Sequence, residues 1–215
     1  MLFSDRTAKT DHPINPLIEA RWSPCGFSDT ALGPSEFAAL FEAARWAASS
    51  YNAQPWRYIV GRRSEETFER ILGCLIPFNQ GWARYAGALA LGVVNTSFPH
   101  NGQPNTAAEH DLGAASASLT LEATARGIAV HQMIGLDAAR AASEFALPEG
   151  FRVLTALAIG RPGQHPELGA DLVARDQRPR ERRPLSETVF GGEWGEAARF
   201  VTIAGTPTDF YGRGD

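Results

Sequence analysis

The chain has 215 residues, a formal net charge of -4, 44% hydrophobic residues and 20% charged residues. This composition is that of an ordinary globular protein with one domain or two small ones, and the slight negative charge does not indicate a nucleic-acid or anionic-membrane partner. Two cysteines, Cys25 and Cys74, are too few for a disulfide framework and fit a reducing cytoplasm, although one pair could bridge. The N-terminus lacks the apolar run of a signal peptide, and no apolar stretch is long enough to span a membrane.

The ends of the chain are expected to be less ordered than its middle. Residues 1–12 are polar and are predicted to form a flexible N-terminus, and residues 200–215 are predicted to form a loosely docked tail. One folded domain is expected over residues 13–199, and it begins with a short helix between Pro13 and Ala20.

An arginine and a serine two residues apart follow this helix, in the segment Arg21-Trp22-Ser23-Pro24-Cys25-Gly26-Phe27. A cation and a hydroxyl in that position can form an anion site. The alternative is an exposed arginine and a turn serine before a proline. Cys25 is interpreted as an inert structural thiol because no partner motif accompanies it.

The most informative stretch is the loop Ala-Ala-Ser-Ser-Tyr-Asn-Ala-Gln-Pro-Trp-Arg, from Ala47 to Arg57. A helix precedes it, with Ser35 as the expected N-cap, and a strand from Trp56 to Val60 follows it. The loop carries hydroxyls and carboxamides that could bind the polar edge of a flat heteroaromatic ring. The alternative is a helix-to-strand loop that uses these side chains for its own hydrogen bonds. The polar residues are Ser49, Ser50, Asn52 and Gln54.

Helices and strands alternate over the rest of the chain. Ser64 is expected to cap a second helix, Thr106 and Glu109 match a capping box, and a helix of small residues is predicted from about Ala107 to Arg126. Glu109, His110 and Asp111 are consecutive, so they fan around that helix and cannot share a metal ion. Strands are predicted over residues 88–95, 128–133 and 151–160, and residues 78–82 are predicted to be a polar and aromatic interruption.

Five arginines lie between Arg175 and Arg183, with Asp176 and Glu181 among them. A solvated segment and a nucleic-acid-binding arm would both have this composition. The pattern alone leaves the two interpretations open.

The loop resembles the signature of the flavin-dependent nitroreductase family, which usually reads Ala-Pro-Ser-Ser-x-Asn-x-Gln-Pro-Trp, with Ala48 here in place of proline. Arg21, Ser23 and Phe27 resemble the family's Arg-x-Ser-x-(Arg or Lys)-x-Phe segment for the flavin phosphate, and Cys25 stands where a second cation is common. Other segments resemble the family in the same order along the chain. They are the flavin-ring asparagine at Asn79, with Trp82 where some members have lysine; the Asp-x-Gly-x-Ala packing helix from Asp111; the turn from Met133 to Asp137; and the basic-x-Arg-x-Pro segment at Arg180, Arg182 and Pro184.

The resemblance implies an α+β nitroreductase-like fold, with a central mostly antiparallel sheet flanked by helices, in an intertwined homodimer with FMN at the interface. It also implies a hydride donor, NADH or NADPH, and a small acceptor such as a nitroaromatic or a quinone. No catalytic side chain, no metal, no nucleic-acid partner and no membrane partner are expected, and no Gly-x-Gly-x-x-Gly fingerprint follows a strand. The residues expected to bind the flavin are Arg21, Trp22, Ser23, Ser49, Ser50, Asn52, Gln54, Asn79, Met133, Ile134, Gly135, Arg180 and Arg182.

Three other functions fit the sequence. A specialised member of the superfamily could dehalogenate a phenol or consume its own flavin, although residues 83–110 leave little room for a large substrate lid. A protein of this type could also store or carry flavin without turnover. The third alternative is an interaction protein without flavin that uses the basic segment.

Overall fold

A computed structural model describes residues 6–202 of the chain and divides the protein into two compact units. The first unit contains Arg21–Gln177, and the second contains the segment that ends at Ala20 together with the segment that begins at Arg178. The predicted flexible N-terminus and C-terminal tail fall partly on residues 1–5 and 203–215, which lie outside the described residues.

The first unit is built on a four-stranded sheet whose strand order is β1-β2-β4-β3. Each neighbouring pair is antiparallel. The expected antiparallel sheet flanked by helices is therefore confirmed. The strands are β1 (Trp56–Arg62), β2 (Ala88–Asn95), β3 (Ala129–Met133) and β4 (Phe151–Gly160).

Both faces of the sheet are covered, which explains why β2 is an almost uninterrupted apolar run. Leu89, Leu91 and Val93 of β2 join the core on one face, while Ala88 and Ala90 join the core on the other. The helices of this unit are α2 (Pro34–Arg45), α3 (Glu66–Cys74), α4 (Pro77–Ala83), α5 (Ala108–Ala125), α6 (Ala138–Glu144) and α7 (Ala170–Gln177). Helices α3, α4 and α6 contribute to the first core, and helices α2 and α5 contribute to the second.

The predicted helix starts were wrong at three hydroxyl residues. Ser35 lies inside the first turn of α2, whose N-cap is Gly33, because Pro34 already occupies the first helical position. Ser64 has a φ of 76° and turns the chain after β1, so that Glu65 becomes the N-cap of α3. Ala107 is the N-cap of α5 instead of Thr106, and its methyl side chain makes no capping bond.

The segment from Phe78 to Trp82 was also misassigned, since it belongs to helix α4. Pro77 starts this helix, where a proline is well tolerated because its missing N–H would have no partner inside the helix. The long helix α5 ends within one residue of each predicted end.

The second unit contains helix α1 (Pro16–Ala20), a single 3-10 turn at Leu185–Glu187 and helix α8 (Arg199–Thr202). The Ala8 N–H donates to the Glu19 carbonyl, and Phe190 and Ala197 form an isolated bridge. Among residues 6–202, none of the helices combines the length and apolarity that a membrane crossing requires.

Candidate functional site

The loop between α2 and β1 has an unusual backbone conformation. Ser50–Asn52 form one 3-10 turn in which Tyr51 and Asn52 both have a φ of 51°, and Gln54 has a φ of 45°. Residues other than glycine are uncommon at positive φ, although asparagine tolerates it better than most. Three such residues within four positions require surrounding contacts that hold the backbone in place.

Three of the four predicted polar side chains are used inside the loop. Ser49 Oγ accepts the Gln54 N–H at 3.1 Å, and Gln54 Nε2 donates to the carbonyl oxygen and the Oδ1 of Asn52, each at 3.2 Å. Within residues 6–202, no hydrogen bond uses Ser50 Oγ or the Nδ2 donors of Asn52. The loop therefore stabilises itself through Ser49, Gln54 and Asn52 Oδ1, while Ser50 Oγ and Asn52 Nδ2 bond to no other described residue.

Asp111 anchors this loop to helix α5, a role that the sequence did not predict. Its side chain is only 2% exposed, and Oδ2 accepts the backbone N–H of Ser50 at 3.1 Å. Its other oxygen lies 3.2 Å from Nδ1 of the exposed His110. The sequence resemblance assigned Asp111 to packing, and no local signal links it to a residue 61 positions earlier.

A second group of predicted residues meets where α4 faces the chain after β3. Asn79 is buried and donates through Nδ2 to the Gly135 carbonyl at 2.9 Å, while Ile76 N–H donates to the same carbonyl at 3.1 Å. Met133 is buried at the end of β3, and Ile134 is 83% exposed. A Cβ atom at Gly135 would come within 2.4 Å of Asn79 Nδ2, so a side chain at this position would displace the Asn79 amide.

The segment Arg21–Phe27 combines an accessible start with a buried end. Arg21 Nη1 donates to Ser23 Oγ at 3.2 Å, Trp22 is half-buried, and Ser23 is exposed. Cys25 and Phe27 belong to the core. The guanidinium and the hydroxyl are thus adjacent in space, as an anion site requires.

His131 fixes the middle of that segment. Its Nδ1 lies 2.8 Å from the Pro24 carbonyl, which can only accept, so the Nδ1 atom carries the proton. Burial lowers the pKa of His131, so that the ring is neutral at pH 7. The ring stacks on Trp82 with centroids 4.4 Å apart, so His131 packs inside the protein.

Arg180 and Arg182 lie in the second unit. Arg180 Nη1 donates to the carbonyl oxygens of Arg6 and Glu19, and Arg182 Nη1 donates to the Glu181 carbonyl at 2.7 Å. In the first unit, the Arg175 guanidinium lies 5.8 Å from the centre of the Phe78 ring. Several arginines of the basic segment therefore contact the protein itself.

The described residues contain no group of three His, Cys, Asp or Glu side chains that could hold a metal ion. A cleft of about 480 Å³ lies next to the start of α3, and none of the residues predicted to bind flavin lines it. Its charged residues form ion pairs, since Arg63 contacts Asp29 and Arg62 contacts Glu65.

The chain matches the model of the nitroreductase family over residues 18–80, which include both the Arg21–Phe27 segment and the loop. An uncharacterized 15.4 kDa protein of Mycolicibacterium smegmatis is 36% identical over 150 residues, which cover 65% of this chain and 97% of that protein.

Solved structures extend the similarity to the whole fold. An oxidoreductase containing FMN has 30% identity and a TM-score of 0.82, with 89% of this chain and 98% of that one covered. A candidate nitroreductase from Desulfovibrio desulfuricans, in complex with FMN, has 24% identity and a TM-score of 0.64, and the match covers 85% of this chain and 99% of that chain. A nitroreductase family protein from Clostridium difficile has 21% identity and a TM-score of 0.63, and the match covers 80% of this chain and 94% of that chain.

The contact between Asn79 and Gly135 gives a direct test of the site geometry. We expect Gly135→Ala to displace the Asn79 amide and to lower the free energy of unfolding by about 1–3 kcal/mol, as overpacking usually does. Gly81→Ala, in the helix α4 that carries Asn79, is the matched control, because its Cβ would meet no atom within 4 Å. That change should raise stability by up to about 1 kcal/mol, since alanine favours helix. Urea denaturation of both variants measures the difference, and equal stabilities would contradict the geometry.

Proposed function

The chain belongs to the nitroreductase family, and from this premise we propose that it is an FMN-dependent oxidoreductase. It would take a hydride from NADH or NADPH and pass it through the flavin to a small acceptor such as a nitroaromatic or a quinone. The observation that carries this proposal is the α2–β1 loop, which is held at positive φ and whose Ser50 hydroxyl and Asn52 amide donors no other described residue uses.

The residues fit the two chemical parts of FMN. Arg21 and Ser23 provide a cation and a hydroxyl for the anionic phosphate. Asn52 provides amide donors for the polar edge of the ring, and Gly135, next to the exposed Ile134, leaves room for the Asn79 amide. Asn79 holds the Gly135 carbonyl and so fixes that stretch of backbone.

FMN, when bound, supplies the hydride-accepting and hydride-donating chemistry. The side chains then have to bind and orient the reacting molecules, and none has to act as a general acid or base. The absence of a dinucleotide fingerprint from the sequence implies that the nicotinamide cofactor binds transiently and leaves after each transfer.

The purified protein provides the first test. We expect it to be yellow, to lose its visible absorbance on addition of NADH or NADPH without oxygen, and to regain it when a quinone or a nitroaromatic is added. Loss of colour followed by recovery supports an oxidoreductase. Bound flavin that neither nicotinamide reduces would instead indicate a carrier. A colourless protein that ignores FMN would overturn the proposal.

The proposal includes a second copy of the chain, since the family resemblance distributes the flavin contacts over two subunits. Arg21, Ser23, Asn79 and Gly135 would come from one copy, and the loop with Ser50 and Asn52 would come from its partner. Helix α5 supports this arrangement, because the exposed residues in its middle are small. Gly113 and Ala117 are exposed, and a Cβ at Gly113 would meet no atom within 4 Å.

The helix surface can be tested by charge insertion. We expect the parent protein to sediment as a dimer at micromolar concentration and Ala117→Glu to shift it towards monomer, because an unpaired buried charge destabilises an interface. Ala38→Glu, on the exposed side of α2, is the matched control and should remain dimeric. A parent protein that binds FMN as a monomer would contradict the arrangement.

Asn52 allows a test of the ring contact itself. Asn52→Asp replaces amide donors by a carboxylate that can only accept at neutral pH, next to a ring that gains negative charge on reduction. Like charges raise the free energy of the charged state. We therefore expect a lower flavin midpoint potential and slower reduction by NADPH, with fold and dimer retained.

Asn52→Ala separates the charge from the lost hydrogen bonds. This variant removes the donors without adding a charge, so its midpoint potential should fall less than that of Asn52→Asp. If both variants match the parent in spectrum, potential and turnover, then Asn52 serves only the loop.

A further inference from the structure

One buried carboxylate, Asp176 at the end of α7, binds the backbone of the Arg21–Phe27 segment. Its Oδ1 accepts the Cys25 N–H at 2.9 Å, and its Oδ2 accepts the N–H groups of Cys25 and Gly26 at 2.9 and 2.8 Å. The side chain is only 4% exposed. Two successive backbone N–H groups that point at one anion form a binding concavity, which is here filled by the protein's own carboxylate.

Further contacts leave this part of the segment little freedom. Pro24 is held through its carbonyl by His131, and Phe27 forms a bridge with Pro162. The Gly163 N–H donates to the Gly26 carbonyl at 3.2 Å. A Cβ at Gly26 would lie 2.4 Å from the Gly163 carbonyl oxygen, so only glycine fits between Asp176 and the backbone at Gly163.

Cys25 cannot supply the positive charge that the family resemblance places at its position. The thiol is buried in the core, and burial followed by the charge of Asp176 raises its pKa to about 12. The side chain is therefore neutral at pH 7. At this position the backbone, rather than a cationic side chain, makes the polar contact.

We propose that Asp176 is a positioning residue for phosphate binding: by holding the Cys25 and Gly26 N–H groups, it orients the Arg21 guanidinium and the Ser23 hydroxyl towards the phosphate of FMN. The anchored backbone begins two residues after Ser23, and Arg21 already contacts Ser23. A carboxylate beside a phosphate site would repel the ligand if it were free. Here its two oxygens accept three N–H bonds, which offset its negative charge, so it shapes the segment instead. The inference rests on the proposed function.

Riboflavin is the probe that separates this role from general stability, because it has the same ring as FMN and lacks the phosphate. The parent protein, stripped of flavin, should bind FMN more tightly than riboflavin. Asp176→Asn keeps the size of the side chain, but one of the two oxygens that accept the Cys25 N–H becomes an NH₂ donor that faces it. We expect the ratio of FMN to riboflavin affinity to fall by about tenfold or more in this variant, with riboflavin affinity nearly unchanged.

Glu36→Gln is the matched control. Glu36 Oε2 accepts the Gly33 N–H at 2.9 Å at the start of α2, so the change removes a carboxylate that holds backbone elsewhere. The control should keep the parent's ratio of affinities. A parent that binds neither flavin refutes the proposed function. A parent that binds both equally, or an Asp176→Asn variant that keeps the parent's preference, overturns the role of Asp176.

If Asp176→Asn does not fold, hydrogen exchange on the unchanged protein tests whether the phosphate binds at residues 21–26, as the role of Asp176 requires. We expect FMN, and not riboflavin, to slow amide exchange in residues 21–26, because only the phosphate would bind there. Equal protection by both ligands, or no protection by either, would contradict the assignment.

Discussion

The positive-φ backbone of the α2–β1 loop is the constraint on which the site depends. A left-handed conformation costs a residue other than glycine roughly 1–2 kcal/mol, and Tyr51, Asn52 and Gln54 all adopt it. A hydrogen bond to a charged group contributes about 1.5–3 kcal/mol, so the bond from the Ser50 N–H to Asp111 offsets a large part of that cost. Asp111 lies in the first turn of α5, where the helix dipole also favours a carboxylate.

The same conformation determines which polar atoms remain for a ligand. Because Ser49 and Gln54 close the loop on itself, Asn52 is held in place through its carbonyl and Oδ1 atoms while its Nδ2 donors are unused by the other described residues. The two interpretations of this loop, a self-stabilised turn and a ligand site, therefore do not exclude each other, because they concern different atoms of the same residues. A site held in advance loses less conformational entropy when it binds a ligand.

Patterns along the chain predicted the strands well because strand signals are local. β2 and β4 have the predicted bounds, since an apolar run that ends at turn residues is visible in the sequence. The helix starts at Ser35, Ser64 and Thr106 were wrong because a hydroxyl near a helix start is a weak signal. At Ser35 the preceding proline starts the helix, and at Ser64 a tight turn delays the start by one residue. At Thr106 the N-cap lies one residue later, at Ala107. The polar side chains of the loop left a ring site and a self-bonded turn both open, and only the resemblance of their order to a family signature favoured the ring site.

The two carboxylates that organise the site could not be found in this way. Asp111 contacts a residue 61 positions away, and Asp176 contacts residues 150 and 151 positions away. The residues that flank each carboxylate in the sequence do not reveal its long-range contact. From the sequence, Asp111 resembled a packing residue, and Asp176 was one charge in a basic stretch. Both are buried, and each accepts backbone N–H groups from a segment that carries the polar side chains predicted to bind flavin. The side chains predicted to bind flavin and the residues that hold their backbone thus come from distant parts of the sequence, and only the folded chain brings them together.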